Sequence, residues 1–319
     1  MTKQISTAHR LYKRFYHNKS AIVDSAASSH WAECAKHLKV NPVDEDDFEA
    51  TGYGFGTSAN HSLPARLLAW TGNTLHLMIL GLPGIQAHVR YAKRVVDRMG
   101  LIFSQDAFRQ VCTVNLLYHY LNTEKAPERI LIIGDGYGVL SALLHTLYPN
   151  SRLFLVDLGS VLFFQACHLQ RAFPKAAQAI TDEKEGFIGV FNFVPADRLE
   201  TLPLVNFDLA VNVASMQEMA PVAISRYFSL LRERKTRLFY CCNRLEKRLI
   251  GGEINRFMDY PWKPDDEHLI DELCPWHQWF FGRGSSSLVR LFGIPIPLVH
   301  RYDGPHWHRL TRLKGESVQ

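Results

Sequence analysis

Apolar residues change their rhythm once along this chain, near residue 125. Before that point they recur at roughly helical intervals broken by polar stretches, and after it they gather into short runs that alternate with amphipathic segments. Intervals of three and four residues put apolar side chains on one face of a helix, whereas a short apolar run bounded by turn residues suits a strand buried on both faces. Residues 1–125 are therefore expected to form an α-helical N-terminal region serving as a lid, a substrate element or an oligomerisation element. Its clearest helix is AFRQVCTVNLLYHYL, preceded by Ser104-Gln105-Asp106, where a serine is placed to accept a backbone N–H at the helix start. The turn-rich TGYGFGTSAN (51–60) and the apolar LHLMILGLPGIQ (75–86) lie between the helical stretches.

From Arg129 the pattern predicts strand Arg129–Ile133, helix Val139–Leu147, strand Leu153–Val156 and helix Val161–Ala172, stopped by Pro174. Strands near Val190–Val194 and at Leu209–Val213 follow, then a helix over about Pro221–Arg232 and a strand Leu238–Cys242. Such alternation is the signature of βαβ units and a parallel sheet, which makes 126–319 one α/β core. Within it, Leu245–Gly284 carries Gly251-Gly252, Pro261, Pro264 and Pro275 and reads as an insertion at about 245–284. SSSLVRLFGIPIPLVHRY then returns as one or two strands, with a hairpin turn placed at Gly293-Ile294-Pro295.

In an open parallel sheet, ligands bind outside the carboxyl ends of the strands. The first strand here runs into Gly134-Asp135-Gly136-Tyr137-Gly138, a GxGxG turn, whereas a dinucleotide fingerprint carries a small residue at the sixth position, which is Val139 in this chain. Asp157 stands 19 residues after Gly138, at the end of LFLV. A carboxylate there can accept hydrogen bonds from both ribose hydroxyls of an adenosine, which serves NAD and S-adenosylmethionine alike. Ala196-Asp197 falls where an adenine edge would lie, and Asp197 is able to accept from its amino group. After the fourth strand, the alternation of FDLAVNVASMQEM ends in Asn212, Ser215, Gln217 and Glu218, expected to face the crevice.

Composition narrows the classes. With 47% hydrophobic and 21% charged residues, neither wholesale disorder nor a fibrous protein fits. A net charge of +5 with scattered Lys/Arg pairs leaves a nucleic-acid footprint possible but does not signal one, and no aromatic-interleaved basic run is present. The six cysteines form no CxxC pair, which favours reduced, buried thiols. MTKQISTAHRLYKRFYHNKS has no apolar segment of a secretory leader, and apolar runs elsewhere fall short of about 18 residues, so a cytoplasmic protein without membrane attachment is expected.

Four motifs then stand in order: IGDGYG, VDLGSVLFFQACHLQRAFP, FDLAVNVASMQEM and FYCCNR. In type and spacing this resembles the bacterial sugar O-methyltransferases, a branch of the class I S-adenosylmethionine-dependent methyltransferases, over about Ile130–Arg244. The resemblance implies a class I methyltransferase Rossmann-like sheet, mostly parallel, of seven strands with an antiparallel edge strand. It also implies S-adenosyl-L-methionine as cofactor, held by Gly134, Asp135, Gly136, Gly138, Asp157, Leu158, Ala196, Asp197 and Asn212. A saccharide-type small-molecule acceptor follows from it, and a homodimer is a further expectation. Two departures stand out: Asp135, where relatives commonly have glycine, and Gly159, where they have proline.

Methyl transfer from a sulfonium is an in-line displacement, so the protein chiefly aligns the reacting atoms and removes the acceptor's proton. Glu218 is the first candidate base, and a capping box with Ser215 is the plain structural alternative. His277, in CPWHQWFF beside Trp276 and Trp279, is the second candidate, the tryptophans being platforms for sugar faces or a core aromatic cluster. Arg109, with Gln110, is placed to close over the methionine carboxylate. His300, Asp303, His306 and His308 offer mostly imidazole, unlike the oxygen ligands magnesium prefers, so no metal is expected. Three other functions stay open: a nucleic-acid methyltransferase, which lacks support because strand four ends in NVAS rather than a [DNS]-P-P-aromatic element, a non-catalytic scaffold, and an NAD oxidoreductase.

Overall fold

The computed structural model describes residues 5–17, 27–37, 39–42, 48–51, 67, 70–74, 81–121, 125–183, 189–281, 288–291, 294–301 and 304–315. Among them, eight strands form the main sheet: β1 (Arg129–Ile133), β2 (Arg152–Asp157), β3 (Gln178–Ile180), β4 (Phe191–Pro195), β5 (Leu209–Val213), β6 (Leu238–Arg244), β7 (Glu267–Leu273) and β8 (His306–Arg312). Their spatial order is β7-β8-β6-β5-β1-β2-β4-β3. All pairings from β6 to β3 are parallel, and β8 runs antiparallel between β6 and β7. A mostly parallel, doubly wound sheet of the class I methyltransferase type is what the resemblance implies, and the structure has it, with eight strands in place of the expected seven.

The expected edge placement needs correction. The antiparallel strand β8 lies one place in from the edge, and β7 covers it. β7 falls inside the stretch 245–284 that sequence spacing assigns to an insertion. Its sequence EHLIDEL has only half-buried and exposed positions, as an edge strand can, so it lacks the apolar run of the central strands. The rest of that stretch does stand apart as a hairpin, Glu246–Arg248 with Ile254–Arg256. Leu288–Leu291 and Ile294–Arg301 form the expected hairpin, within a separate sheet that also includes Trp279–Phe281. Gly293 lies outside the described residues, as do most of TGYGFGTSAN and residues 75–80.

The α-helices whose full bounds fall among the described residues are α1 (Thr7–Tyr12, continued by a π-helical turn, Lys13–His17), α2 (Ser29–His37), α3 (Ile85–Arg98), α4 (Gln105–Leu121), α5 (Val139–Leu147), α6 (Gly159–Ala172) and α7 (Pro221–Glu233). Alternate residues of each strand feed opposite faces of the sheet. Ile130, Ile132, Leu153, Leu155 and Val211 pack against α3, α4, α5 and α6. Leu131, Ile133, Phe154 and Phe239 pack against α7 and the segment around Phe257 and Tyr260. The N-terminal helices share the first of these cores: Leu11 and Ala8 of α1 belong to it, and the Tyr16 hydroxyl donates to Ser160 O at 2.8 Å.

α4 is buried almost all round, from Phe108 through Val111 and Val114 to Leu117. Its start is as the sequence suggests, with Ser104 Oγ accepting from Ala107 N at 3.2 Å. Gly159, the residue in place of a proline, opens α6 against the ring of Phe15, where an added Cβ would come within 2.0 Å of the ring. Its smallness lets the N-terminal segment dock. On the other face, the guanidinium of Arg232 binds both carboxylate oxygens of Asp266 at 2.8 Å and two backbone carbonyls, tying α7 to the approach to β7. Among the described residues no helix is long and apolar enough to cross a membrane. All six cysteines are buried thiols.

Candidate active site

The carboxyl ends of β1, β2, β4 and β5 open on a cavity of about 620 Å³, within the range of ligand pockets, about 300–1,000 Å³. One end of it is backbone. Gly134 has φ +73°, and a Cβ there would stand 1.8 Å from Ser215 Oγ, so only glycine lets the β1 and β5 turns meet. Gly136 N donates to Asp157 Oδ2 at 3.2 Å, and nothing lies within 4 Å of a Cβ built on Gly136, so the turn faces open space there. Asp157 is further fixed by Leu158 N at 2.9 Å and by Gln165 Nε2 at 2.7 Å. Of the residues expected to hold the cofactor, Gly134, Asp135, Gly136, Asp157, Leu158 and Ala196 line the cavity.

Asp135, whose part the sequence leaves open, acts on its own turn. Its carboxylate accepts from Leu140 N at 3.0 Å, from Ser141 N at 2.8 Å and from the Ser141 hydroxyl, capping the start of α5. Burial pushes its pKa up to about 6, opposed by those three donors. Three other expected cofactor residues sit elsewhere. Gly138, at the N-terminus of α5, faces Gln165 and Leu169 of α6 and closes a helix–helix contact. Asp197 is half-buried and off the cavity wall, which Ala196 and Leu199 form instead.

Asn212, the third, is wholly buried and works in a belt of amides. Its Nδ2 donates to Ile133 O at 2.8 Å, and its Oδ1 accepts from Met216 N at 3.2 Å and Asn243 Nδ2 at 2.8 Å. Asn243 Oδ1 then accepts from Gln217 N, and Gln217 Oε1 from Arg244 N. The belt satisfies buried polar groups and locks the N-x-x-S-x-x-E-M segment to the strand ends. Ala214, inside that segment, is held at φ +56°, a strained value for a residue with a side chain, of the kind that clusters at functional sites.

The other end of the cavity is made of side chains from distant segments. Glu218 lies on a short 3-10 turn and forms no capping box, since Ser215 makes no side-chain cap. Its carboxylate pairs with Lys247 Nζ at 2.6 Å and lies 3.7 Å from His30 Nε2. Desolvation lowers the pKa of His30 despite the Glu218 charge. Ser28 donates to Glu218 O and brings Trp31 to the cavity wall. Arg109, only 4% exposed, reaches the cavity from α4 and pairs with Asp106 Oδ1 at 2.5 Å. Burial lowers the Arg109 pKa, with Asp106 opposing.

His277 and His306 also line this end, their rings stacked with centroids 5.2 Å apart. Desolvation, with Arg244 and Arg109 nearby, pushes His306 down to about 3, so its ring is neutral at any ordinary pH. The sugar-platform reading of Trp276 does not hold: it is 2% exposed and packs edge-on against His308. Among the described residues, Trp31, Tyr137 and Tyr227 are at the wall in addition to the two histidine rings. His300 is on a different sheet from His306 and His308, and Asp303 lies outside the described residues. His30, Trp31 and Lys247 are not legible as site residues, since nothing in their local sequence marks them.

No protein-family model matches the sequence, and no curated protein sequence matches it. Among solved structures, the chain is similar to an rRNA methylase from Escherichia coli, at 13% identity over 72% of this chain and 75% of that one, with a TM-score of 0.36. It is similar too to coclaurine N-methyltransferase bound to N-methylheliamine and SAH, at 13% identity, 53% and 50% coverage and a TM-score of 0.37. The chain spans about half the length of the latter. The class I methyltransferase fold rests on the strand order, with β8 antiparallel between β6 and β7.

Proposed function

We propose that this chain is an S-adenosylmethionine-dependent O-methyltransferase acting on a small polyhydroxylated acceptor of saccharide type. The observation that carries the proposal is Asp157, at the carboxyl end of β2, held by Gly136 N beside the open face of the glycine turn. Each carboxylate oxygen accepts more than one hydrogen bond, so Asp157 can receive ribose hydroxyls while keeping its present donors. The inserted antiparallel strand favours this nucleoside over NAD, whose doubly wound fold is built from two parallel mononucleotide-binding halves. Bound there, S-adenosylmethionine supplies an electrophilic methyl group on a sulfonium.

The chain's own residues do the rest. Arg109, buried and cationic, suits the methionine carboxylate. Leu199 and Ala196 offer an apolar wall for adenine. Glu218 is the group we assign to the acceptor hydroxyl, accepting its hydrogen bond and then its proton, with Lys247 fixing the carboxylate's direction. Trp31 supplies an aromatic face, and Gln217 and Arg244 polar groups, which together suit a molecule rich in hydroxyls.

The test is methyl transfer from radiolabelled S-adenosylmethionine to a panel of mono- and oligosaccharides, with RNA and catechols in parallel. Label carried to a saccharide oxygen, and lost in Glu218→Gln, supports the proposal. Transfer to RNA alone would replace its acceptor.

A further inference from the structure

Behind the acceptor end of the cavity lies a cluster that the methyl-transfer proposal does not use. Cys242 comes from β6, and Cys274 and His277 from the turn that follows β7. Cys274 Sγ lies 3.2 Å from His277 Nδ1 and Cys242 Sγ lies 3.6 Å from it, and the three donor atoms fall within 4.8 Å of one another. Both thiols are fully buried, and His277 lines the cavity.

Zinc–sulfur and zinc–nitrogen bonds of about 2.3 and 2.0–2.1 Å imply roughly 3.5 Å between sulfur and nitrogen on a tetrahedron. The two observed separations bracket that value. We propose that Cys242, Cys274 and His277 form a binding site for a zinc-class divalent ion, through Sγ, Sγ and Nδ1.

The turn is built to hold its donors still. Cys274 N donates to His306 O at 2.9 Å, and His277 N to Cys274 O at 3.3 Å. Gln278 Nε2 donates at 2.7 Å both to Cys274 O and to His306 O, riveting the C-P-W-H turn to β8. Trp276 is buried against His308 on the same strand. β6 pairs with β8 through Cys242 opposite His308, so one strand fixes the spacing of both halves of the site. Two thiolates and one imidazole select a soft or borderline ion over magnesium or calcium. Three protein donors leave one vertex for water or for an oxygen or sulfur of a bound molecule, as open zinc sites do. The long separation of Cys242 from Cys274 along the chain hides the site from local spacing rules, because only the sheet joins them.

The test uses the full chain, reduced and stripped with a chelator, titrated anaerobically with Co²⁺ as a spectroscopic probe. One equivalent should bind, giving the strong visible bands of a tetrahedral ion and a thiolate-to-cobalt charge-transfer band, both abolished by one equivalent of Zn²⁺. Cys274→Ser and His277→Gln should each weaken binding by more than the roughly 10–100-fold that changes behind a metal's ligands cost. Cys167→Ala, on α6, should leave the spectrum unchanged. Folded wild-type protein that takes up no Co²⁺, shows only a weak octahedral spectrum, or joins Cys242 to Cys274 in a disulfide after mild reduction would overturn the proposal, whatever the variants do.

Discussion

The two ends of the cavity are built on opposite plans. The nucleoside end is mostly backbone, drawn from one β1–α5 turn and the tip of β2, with Asp157 as its chief polar side chain. The end where the proposal places the acceptor is side chains, brought by α2, the β5 turn, β6 and the turn after β7, and much of it is charged: Arg244 and Glu218, the latter paired with Lys247. A backbone cradle depends on glycines and on strand ends, which every residue of the sheet helps to fix. A side-chain wall depends on which segments fold over it, and single substitutions can change its chemistry while the sheet stands. The first end is therefore suited to a constant ligand and the second to a specific one.

The sharpest way to separate the ends is Glu218→Gln. It should lower kcat by about 10²–10⁴, the usual contribution of a positioned acid or base, while S-adenosylhomocysteine affinity, measured by calorimetry, stays put. Equal loss of both would mean that the ends are not independent. Gly134→Ala attacks the seam between them, because its Cβ would drive Ser215 away and its φ of +73° is left-handed. A stability loss of at least about 1–3 kcal/mol from strain alone is expected, together with weaker nucleoside binding, read by denaturant unfolding and calorimetry. Gly136→Ala, which meets no neighbour within 4 Å, should cost only its left-handed φ, about 1–2 kcal/mol.

Asp135 gives the smallest effect and a signed one. Its pKa of about 6 in the folded chain stands above the unfolded value of roughly 3.9. The folded state thus holds the extra proton between about pH 4 and 6, so this group's contribution to stability is fullest below that window and is lost as pH rises through 6. Subtracting the stability profile of Asp135→Asn from that of the wild type should isolate this fall. A difference that rises over the same window would contradict the burial of the carboxylate.

The contrast between the ends also explains what can be read from sequence. The nucleoside end is legible because its parts are contiguous: apolar strand, glycine turn and acid follow at short, fixed spacing. Even there, residue type does not reveal partner. Asn212 and Gly138 read as ligand contacts, and the structure spends them on the amide belt and on packing α5 against α6. Position alone puts Asp197 at the adenine edge, yet the 3-10 turn that follows Pro195 carries it off the wall. At the acceptor end, Glu218 and His277 stand out from local motifs. His30, Trp31, Lys247 and the Cys242–Cys274–His277 cluster do not, because tertiary contacts between remote segments create them. β7 is hard to read for a related reason: a sheet edge needs no apolar run.

If Asp157 and the glycine turn hold the adenosine of a methyl donor, calorimetry of the wild type and Asp157→Ala against S-adenosylhomocysteine and NAD reads it directly. S-adenosylhomocysteine should bind the wild type, Asp157→Ala should lose most of that affinity while remaining folded, and NAD should bind neither. Binding of NAD alone, or S-adenosylhomocysteine binding untouched by Asp157→Ala, would contradict it.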